Sequence, residues 1–406
     1  MSSDGFVWLN SLQRLGIALG LGRTRRLLRQ MGRPHLAYPC AIVAGTNGKG
    51  STAATLAAIL QASGYRTGLY TSPPLVDERD RWTIENAMIP EPMLDACIAE
   101  VREASEAAGI VPTYFEALTL IAFLAFARAR CDVVVLEVGL GGRLDATNVV
   151  KPLAALITPI GFDHTEFLGN TLRKIAAEKA GVIHRGTIVL TSNEDPAVLD
   201  VLARRAAKFG NPFHVVRPGG KPIATPLAGE FQQQNVALAI RAAEELATHF
   251  NLITKTTIAR GVAETRWRGR LESVQAGGKQ ILIDGCHNAH AVAVVAPHVD
   301  RTLPRPRTLV FGMMRDKDIE EATGILFPLF ERIITTDPYP PRSVSPEELA
   351  QRGRELGIDA VAESDPEVAL ELAMESDGKG LFVGGSLYLA GAAIAYFDRK
   401  YGQQQQ

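Results

Sequence analysis

Cysteine is scarce in this 406-residue chain: Cys40, Cys97, Cys131 and Cys286 stand far apart, and no two form a C-x-x-C pair. Disulfides are therefore not expected, and the thiols read as reduced and buried in a cytoplasmic protein. Long apolar runs are also missing. None reaches the roughly 18 residues that span a bilayer, so no membrane partner is expected. Neither sign of charge is in excess, with 43 Lys and Arg against 44 Asp and Glu. That balance offers nothing to draw the chain to nucleic acid. What is present, 46% hydrophobic and 21% charged residues, is the composition of a soluble globular protein. The length is too great for one comfortable core and suits two domains.

The N-terminal stretch "FVWLNSLQRLGIALGLGRTRRLLRQMG" is rich in arginine and almost free of acids, as transit peptides are. Its positive charges follow the apolar part, unlike those of a secretory signal. Trp8, Leu9, Leu12 and Leu15 share one helical face. We read the stretch as an amphipathic helix, a glycine-containing loop and a second helix from about Thr24.

"VAGTNGKGST" (43–52) resembles a phosphate-binding loop but departs from G-x-x-x-x-G-K-[ST]. Val43 stands at the first glycine position, and Gly50 separates Lys49 from Ser51. The loop lies between "CAIVA" (40–44), an apolar run predicted to be a buried strand, and "STAATLAAILQASG" (51–64), predicted to be a helix stopped by glycine. Anions bind at such a junction because unpaired N–H groups and the helix dipole both face outward. Gly45, Gly48 and Gly50 let the backbone wrap an anion, Lys49 adds charge, and Ser51 or Thr52 can reach a metal.

The strand–loop–helix design recurs. "DVVVLEVGLGGRLDATNVV" (132–150) opens as a strand of the kind buried in parallel sheets and ends at Glu137, before glycines. "LAALITPIGFDH" (153–164) delivers Asp163 and His164 after a strand, and "TLRKIAAEKAGVI" (171–183) reads as a helix with Glu178 and Lys179 near its end. Ligands of open α/β sheets sit beyond the carboxyl ends of the strands. Glu137 suits magnesium, which takes oxygen ligands and one or two carboxylates in phosphate sites. By themselves, His164 is more often a surface or core residue than a ligand, and Lys179 is normally a solvated charge.

Taken in order, "GTNGKGST", "YTSPPL", "TYFEALT", "LEVGLGGRLDATNV", "DHTEFLGNTLRKIAAEKAGVI", "WRGRLE", "DGCHNAH", "GMMRDKD" and "GGSLYLAG" resemble the folylpolyglutamate synthase and dihydrofolate synthase family of the Mur ligase superfamily. The resemblance runs from about residue 14 to 396. It identifies the loop with that superfamily's own variant, G-T-x-G-K-G-[ST]. It implies that Thr46, Asn47, Gly48, Lys49, Gly50 and Ser51 hold ATP phosphates, and that Asn235, Arg270 and Asp284 make further nucleotide contacts. Ser72, Glu137 and His164 match magnesium ligands of the family, alongside Ser51. Lys179 matches a lysine carboxylated by CO₂. Lys49, Lys179, Asp284 and His287 are the implied catalytic residues. Thr113, Tyr114, Phe115 and Glu116, with Leu144, Asp145 and Ala146, match its pterin-binding surface. "GIALGLGR" (16–23) resembles its N-terminal substrate loop. Pro74, Phe231, Arg268 and Cys286 depart from the pattern, replacing histidine, histidine, proline and alanine; none is a metal ligand or the loop lysine.

The expected fold class is α/β. A P-loop ATPase domain of Mur ligase type with a mostly parallel sheet (1–270) would be followed by a smaller Rossmann-like domain (271–406). In the latter, strands are predicted in 279–285, 307–314, 332–337 and 380–386, with "DPYPPRSVSPEE" (337–348) as a loop. The implied reaction adds L-glutamate to a folate or to dihydropteroate with ATP and Mg²⁺, through an acyl phosphate. A cytoplasmic monomer is expected. A peptidoglycan-type Mur ligase is disfavoured by "TYFE" and "GLGGRLDATN". A P-loop kinase or GTPase is disfavoured by the displaced hydroxyl and the lack of an [NT]-K-x-D motif. A mere nucleotide-binding scaffold is disfavoured by the presence of Lys49, Glu137 and Lys179 together.

Overall fold

The computed structural model describes residues 4–16 and 18–402. They divide into two compact units. The first comprises the chain up to Pro74, Arg79–Pro226 and Gln232–Arg266; the second comprises Leu75–Glu78, Leu227–Phe231 and the chain from Trp267 onward.

Among the described residues, the first unit holds an eight-stranded sheet of β1 (Cys40–Ala44), β2 (Thr67–Tyr70), β3 (Trp82–Ile84), β4 (Ala87–Met88), β5 (Val133–Glu137), β6 (Ala154–Ile157), β7 (Ile188–Thr191) and β8 (Phe213–Val215), in the order β4-β3-β2-β5-β1-β6-β7-β8. It is parallel from β2 to β8, and β3 and β4 extend it as an antiparallel edge. Every residue of β1, β5 and β6 is buried. This is why these strands read as continuous apolar runs without alternation. In register, Val43 lies beside Glu137, and Ala44 lies beside Ile157. The segments leaving β2, β1, β5 and β6 therefore emerge at one edge.

The second unit holds β9 (Glu272–Ala276), β10 (Lys279–Ile283), β11 (Arg307–Phe311), β12 (Arg332–Thr335), β13 (Asp359–Ala362) and β14 (Gly380–Gly384), in the order β13-β12-β11-β14-β10-β9. Only β9 runs antiparallel. Successive side chains divide between two cores, with Leu309, Phe311 and Phe382 in one and Val310, Leu381 and Val383 in the other. Period-two alternation on a sheet covered on both faces requires this division.

The structure departs from sequence expectation at several ends. The first helix stops at Ser11 and continues as a 3₁₀ turn, Leu12–Leu15. That change of period turns Leu15 outward, half exposed, while Leu9 and Leu12 stay buried. The second helix begins at Gly22, two residues before Thr24. The proline-rich loop ends early, because Ser345 caps a helix whose first residue is Pro346. The substrate loop expected at 16–23 includes Ile17, which lies outside the described residues. All four cysteines are buried free thiols. No helix among the described residues is long and apolar enough to cross a membrane.

The loop helix, Lys49–Ala62, is buried along nearly its whole length. Its alanines allow close approach by the helix Lys255–Glu264, where a Cβ on Gly261 would lie 2.4 Å from Ile59 Cα. The atoms in the way are backbone, which cannot rotate aside. Gly261→Ala should therefore destabilise the first unit by about 1–3 kcal/mol, despite a helix-propensity gain near 1 kcal/mol. Urea unfolding monitored by circular dichroism measures this. A midpoint equal to or above wild type would show that the crossing has slack.

Candidate active site

The loop after β1 is held by the loop after β6. The N–H groups of Thr46 and Asn47 donate to the Pro159 carbonyl at 2.9 and 3.3 Å. Thr46 Oγ1 donates to the Gly161 carbonyl and accepts the Gly161 N–H, both at 3.1 Å. Gly45 is compulsory here, since a Cβ would fall 1.8 Å from Thr158 Oγ1. Gly48 caps the helix in the left-handed region with φ +84°, beside the Asn235 side chain. The helix starts at Lys49, and the Thr52 N–H donates to the Gly48 carbonyl at 3.0 Å. The N–H groups ahead of Thr52 thus precede the intrahelical ladder. Lys49 Nζ folds back on the Thr46 carbonyl at 3.1 Å.

Glu137 ends β5 with a buried carboxylate, and its Oε2 accepts the Ser72 N–H at 3.3 Å. Those two candidate metal residues are therefore adjacent. Ser51 is buried in the first turn of the loop helix, where its Oγ accepts from Gln232 Nε2 at 3.3 Å. His164 follows β6 in the left-handed region, φ +48°, with Nε2 3.8 Å from Asp163 Oδ1. A non-glycine residue held there stores backbone strain, which tends to be retained at functional sites. Among the described residues no three His, Cys, Asp or Glu side chains gather into a metal cluster. One buried carboxylate among hydroxyls is nevertheless the donor chemistry of a magnesium site completed by phosphate oxygens. On that ground these residues fit the ion.

Lys179 ends the helix Leu172–Lys179. Its Nζ is buried and donates to the Gly45 carbonyl at 2.6 Å. Burial, reinforced by the charge of Lys49, lowers its pKa to about 7, although Asp163 and Asp145 oppose the shift. Gly142 lies against this residue, where a Cβ would come 3.1 Å from Lys179 Cα. Asp145 is buried and organises its own loop. Its Oδ2 accepts the Leu140 N–H at 2.9 Å, and its Oδ1 accepts the Thr147 N–H and hydroxyl at 3.0 and 2.6 Å. Leu144 is half-buried and Ala146 buried on either side. Thr113 caps the helix Tyr114–Arg128 in a capping box with Glu116. Tyr114 and Phe115 are half-buried, and Phe115 packs so closely under Gly139 that a Cβ there would lie 2.4 Å from the ring.

The other candidates belong to the second unit. Asp284 is buried just beyond β10; its Oδ2 accepts the Leu271 N–H at 2.8 Å and its Oδ1 the Cys286 N–H at 2.7 Å. Burial raises its pKa, while Arg270 and those N–H groups hold it back. Arg270 Nη1 donates to the Gly269 carbonyl at 3.1 Å, and His287 Nδ1 lies 2.9 Å from the Gly285 carbonyl. Sequence reasoning passed over Gln232, fully buried, which reaches Ser51 and accepts from Asn235 Nδ2 at 2.9 Å. The i, i+3 spacing of Gln232 and Asn235 puts them on one helix face, but the neighbouring Gln233 and Gln234 mask that signal.

A glycine-rich anion loop at the carboxyl edge of this sheet, in a chain with a second α/β unit, defines a P-loop α/β protein. Family models agree: residues 43–211 match the Mur ligase middle domain, and residues 269–387 match the Mur ligase, glutamate ligase domain. The chain is 35% identical to the dihydrofolate synthase/folylpolyglutamate synthase of Bacillus subtilis, over 77% of this chain and 80% of that one. Its fold superposes with a TM-score of 0.88 on Escherichia coli FolC in complex with DHPP and ADP, at 30% identity over 98% of this chain and 99% of that one. It also matches a bifunctional folylpolyglutamate synthase/dihydrofolate synthase with Mn, AMPPNP and L-glutamate bound, with a TM-score of 0.84 and 30% identity over 97% and 98% of the two chains. The chain belongs to the folylpolyglutamate synthase and dihydrofolate synthase family of the Mur ligase superfamily.

The lowered pKa of Lys179 has a consequence for stability. Between about 7 and the ordinary 10.5, the unfolded chain holds a proton that the folded chain has released. Stability therefore rises with pH through that window and is lost as pH falls toward 7. In CO₂-free buffer, Lys179→Met should raise Tm most near pH 7, with the gain shrinking toward pH 10. A gain independent of pH would contradict the shifted lysine.

Proposed function

We propose that this chain is an ATP-dependent ligase that joins L-glutamate to the carboxylate of a folate or of dihydropteroate. The observation that carries the reading is the shared edge of the first unit, where the anion loop, the Glu137–Ser72 pair and the buried Lys179 meet. Relatives that bind ADP and DHPP, or Mn, AMPPNP and L-glutamate, support it.

In this reading the N–H groups from Gly48 to Ser51 and the Lys49 ammonium hold the β- and γ-phosphates. Thr46 and Asn47 are committed to the neighbouring loop through their N–H groups and shape the cradle. Ser51, Ser72, Glu137 and His164 would hold magnesium, which when bound supplies positive charge opposite the γ-phosphoryl oxygens. The folate carboxylate attacks the γ-phosphorus and ADP departs. The glutamate amine then attacks the acyl carbon and inorganic phosphate leaves, so one amide forms for each phosphoanhydride broken. Lys49, placed beside the transferring group, stabilises its charge.

Lys179 supplies an anion rather than a cation. With its pKa near 7, much of it is neutral amine at physiological pH. That form adds CO₂ and releases a proton to give a carbamate, placing negative charge where the lysine's own positive charge would oppose the metal. On the substrate side, Tyr114 and Phe115 present aromatic surface to the flat ring, and Thr113, Leu144, Asp145 and Ala146 define its borders. Asn235 in the first unit, and Arg270 and Asp284 in the second, match the family's further nucleotide contacts, and His287 is assigned to orienting the carboxylate or the amine.

The test offers purified protein dihydropteroate and tetrahydrofolate separately, each with ATP, Mg²⁺ and L-glutamate. ADP release should require one of these pterins and glutamate together, and mass spectrometry should show a product heavier by one glutamyl residue. ADP release that is indifferent to both pterins, or to glutamate, would contradict the ligase reading.

A further inference from the structure

Glu116 resembles a substrate contact in sequence, but its carboxylate is engaged by the protein on both oxygens. Its Oε2 accepts Arg23 Nε at 2.9 Å and the Thr113 N–H at 2.8 Å, and its Oε1 accepts the Thr24 hydroxyl at 3.3 Å. The Glu116 side chain is 4% exposed and that of Arg23 is 32% exposed. The carboxylate of this ion pair is withdrawn from water while its cation is partly exposed. A carboxylate in such a place is stable only while its cation and hydrogen-bond donors stay in position.

The partners tie together pieces of chain far apart in sequence. Arg23 and Thr24 open the helix Gly22–Gln30, and Arg23 Nη2 also donates to the Ala18 carbonyl at 2.9 Å. Thr113 and Glu116 form the capping box of the helix Tyr114–Arg128, in which Thr113 Oγ1 accepts the Glu116 N–H at 3.3 Å. Between those two residues stand Tyr114 and Phe115. The Phe115 ring is pressed under Gly139, two residues beyond Glu137, and lies 6.3 Å from the Tyr70 ring. A shift of this first turn would therefore move the aromatic pair and press on the glycine loop behind the metal-side carboxylate.

We propose that Arg23 and Glu116 are positioning residues for the pterin. The buried pair fixes the first turn of the Tyr114–Arg128 helix, so that Tyr114 and Phe115 meet the ring in one orientation without rearrangement on binding. Preorganisation of this kind appears as affinity for the ligand whose contacts are held, and leaves other ligands unaffected. The inference rests on the ligase reading given above.

The experiment compares full-length wild type, Arg23→Met and Arg23→Lys in steady-state assays with the accepted pterin and ATP varied in turn, alongside thermal denaturation. Arg23→Met should raise KM for the pterin about tenfold while KM for ATP stays within about twofold, the signature of binding lost at one substrate. Arg23→Lys, which keeps the charge but not the planar fork, should recover most of the loss. If Arg23→Met does not fold, Arg23→Gln replaces it, keeping a donor without the charge, with the same expectation. An unchanged pterin KM, or a parallel rise in the KM values for pterin and ATP, would reduce the pair to a general structural contact and overturn the proposal. Failure of the wild type to use either pterin would instead overturn the ligase reading, so the two failures are distinguishable.

Discussion

The candidate site depends on the absence of a side chain at Gly45. There the strand β1 turns into the loop so close to Thr158 that a Cβ would occupy the position of its hydroxyl. That approach lets the Pro159 carbonyl take the Thr46 and Asn47 N–H groups. It also leaves the Gly45 carbonyl facing Lys179 Nζ. A single residue with no volume thus locks the loops after β1 and β6 to each other and to the end of a third segment. A larger residue would strain these contacts together, since rotating the Thr158 hydroxyl away would still leave Thr158 Cβ and its carbonyl at 2.9 and 3.0 Å.

Electrostatics follow from this packing. Two lysines, Lys49 and Lys179, are drawn to one small loop, and Lys179 yields its proton more readily first because it is buried and further because Lys49 is charged. Glu137 is placed across the β1–β5 pair by register with Val43. Its buried carboxylate has the Ser72 N–H as one donor. Asp145 does related work further along the same loop, spending its carboxylate on Leu140 and Thr147. The acidic residues of "LEVGLGGRLDA" therefore have divided tasks. Glu137 ends β5 beside the anion loop, and Asp145 holds the loop shape that follows it.

Much of this was legible in the sequence, for a physical reason. Strands β1, β5 and β6 are buried on both faces, so they appear as unbroken apolar runs whose carboxyl ends mark the site. Strands β2, β3, β4, β7, β8, β9 and β13 were not read; β9 and β13 are partly exposed edges with mixed burial, and the others are short. The helix start at Lys49 rather than Ser51 was hidden as well; it depends on Gly48 adopting a left-handed cap, a backbone choice that composition does not reveal. Gln232 was missed because a run of three glutamines reads as solvated surface until the fold buries one of them against Ser51. Glu116 shows the opposite failing. Its motif named it a ligand contact, whereas its hydrogen bonds show a carboxylate already engaged by Arg23, Thr24 and Thr113.

The central claim is that this edge activates a carboxylate by phosphorylation. No cysteine is available as a nucleophile, since all four are buried thiols and burial raises the pKa of each. In the proposed route the substrate oxygen itself attacks. The decisive measurement uses a pterin substrate labelled with ¹⁸O in the reacting carboxylate, with the phosphate released during one turnover collected for mass spectrometry. The account predicts one ¹⁸O atom in inorganic phosphate and ADP as the nucleotide product. Unlabelled phosphate, or AMP with pyrophosphate, would contradict it.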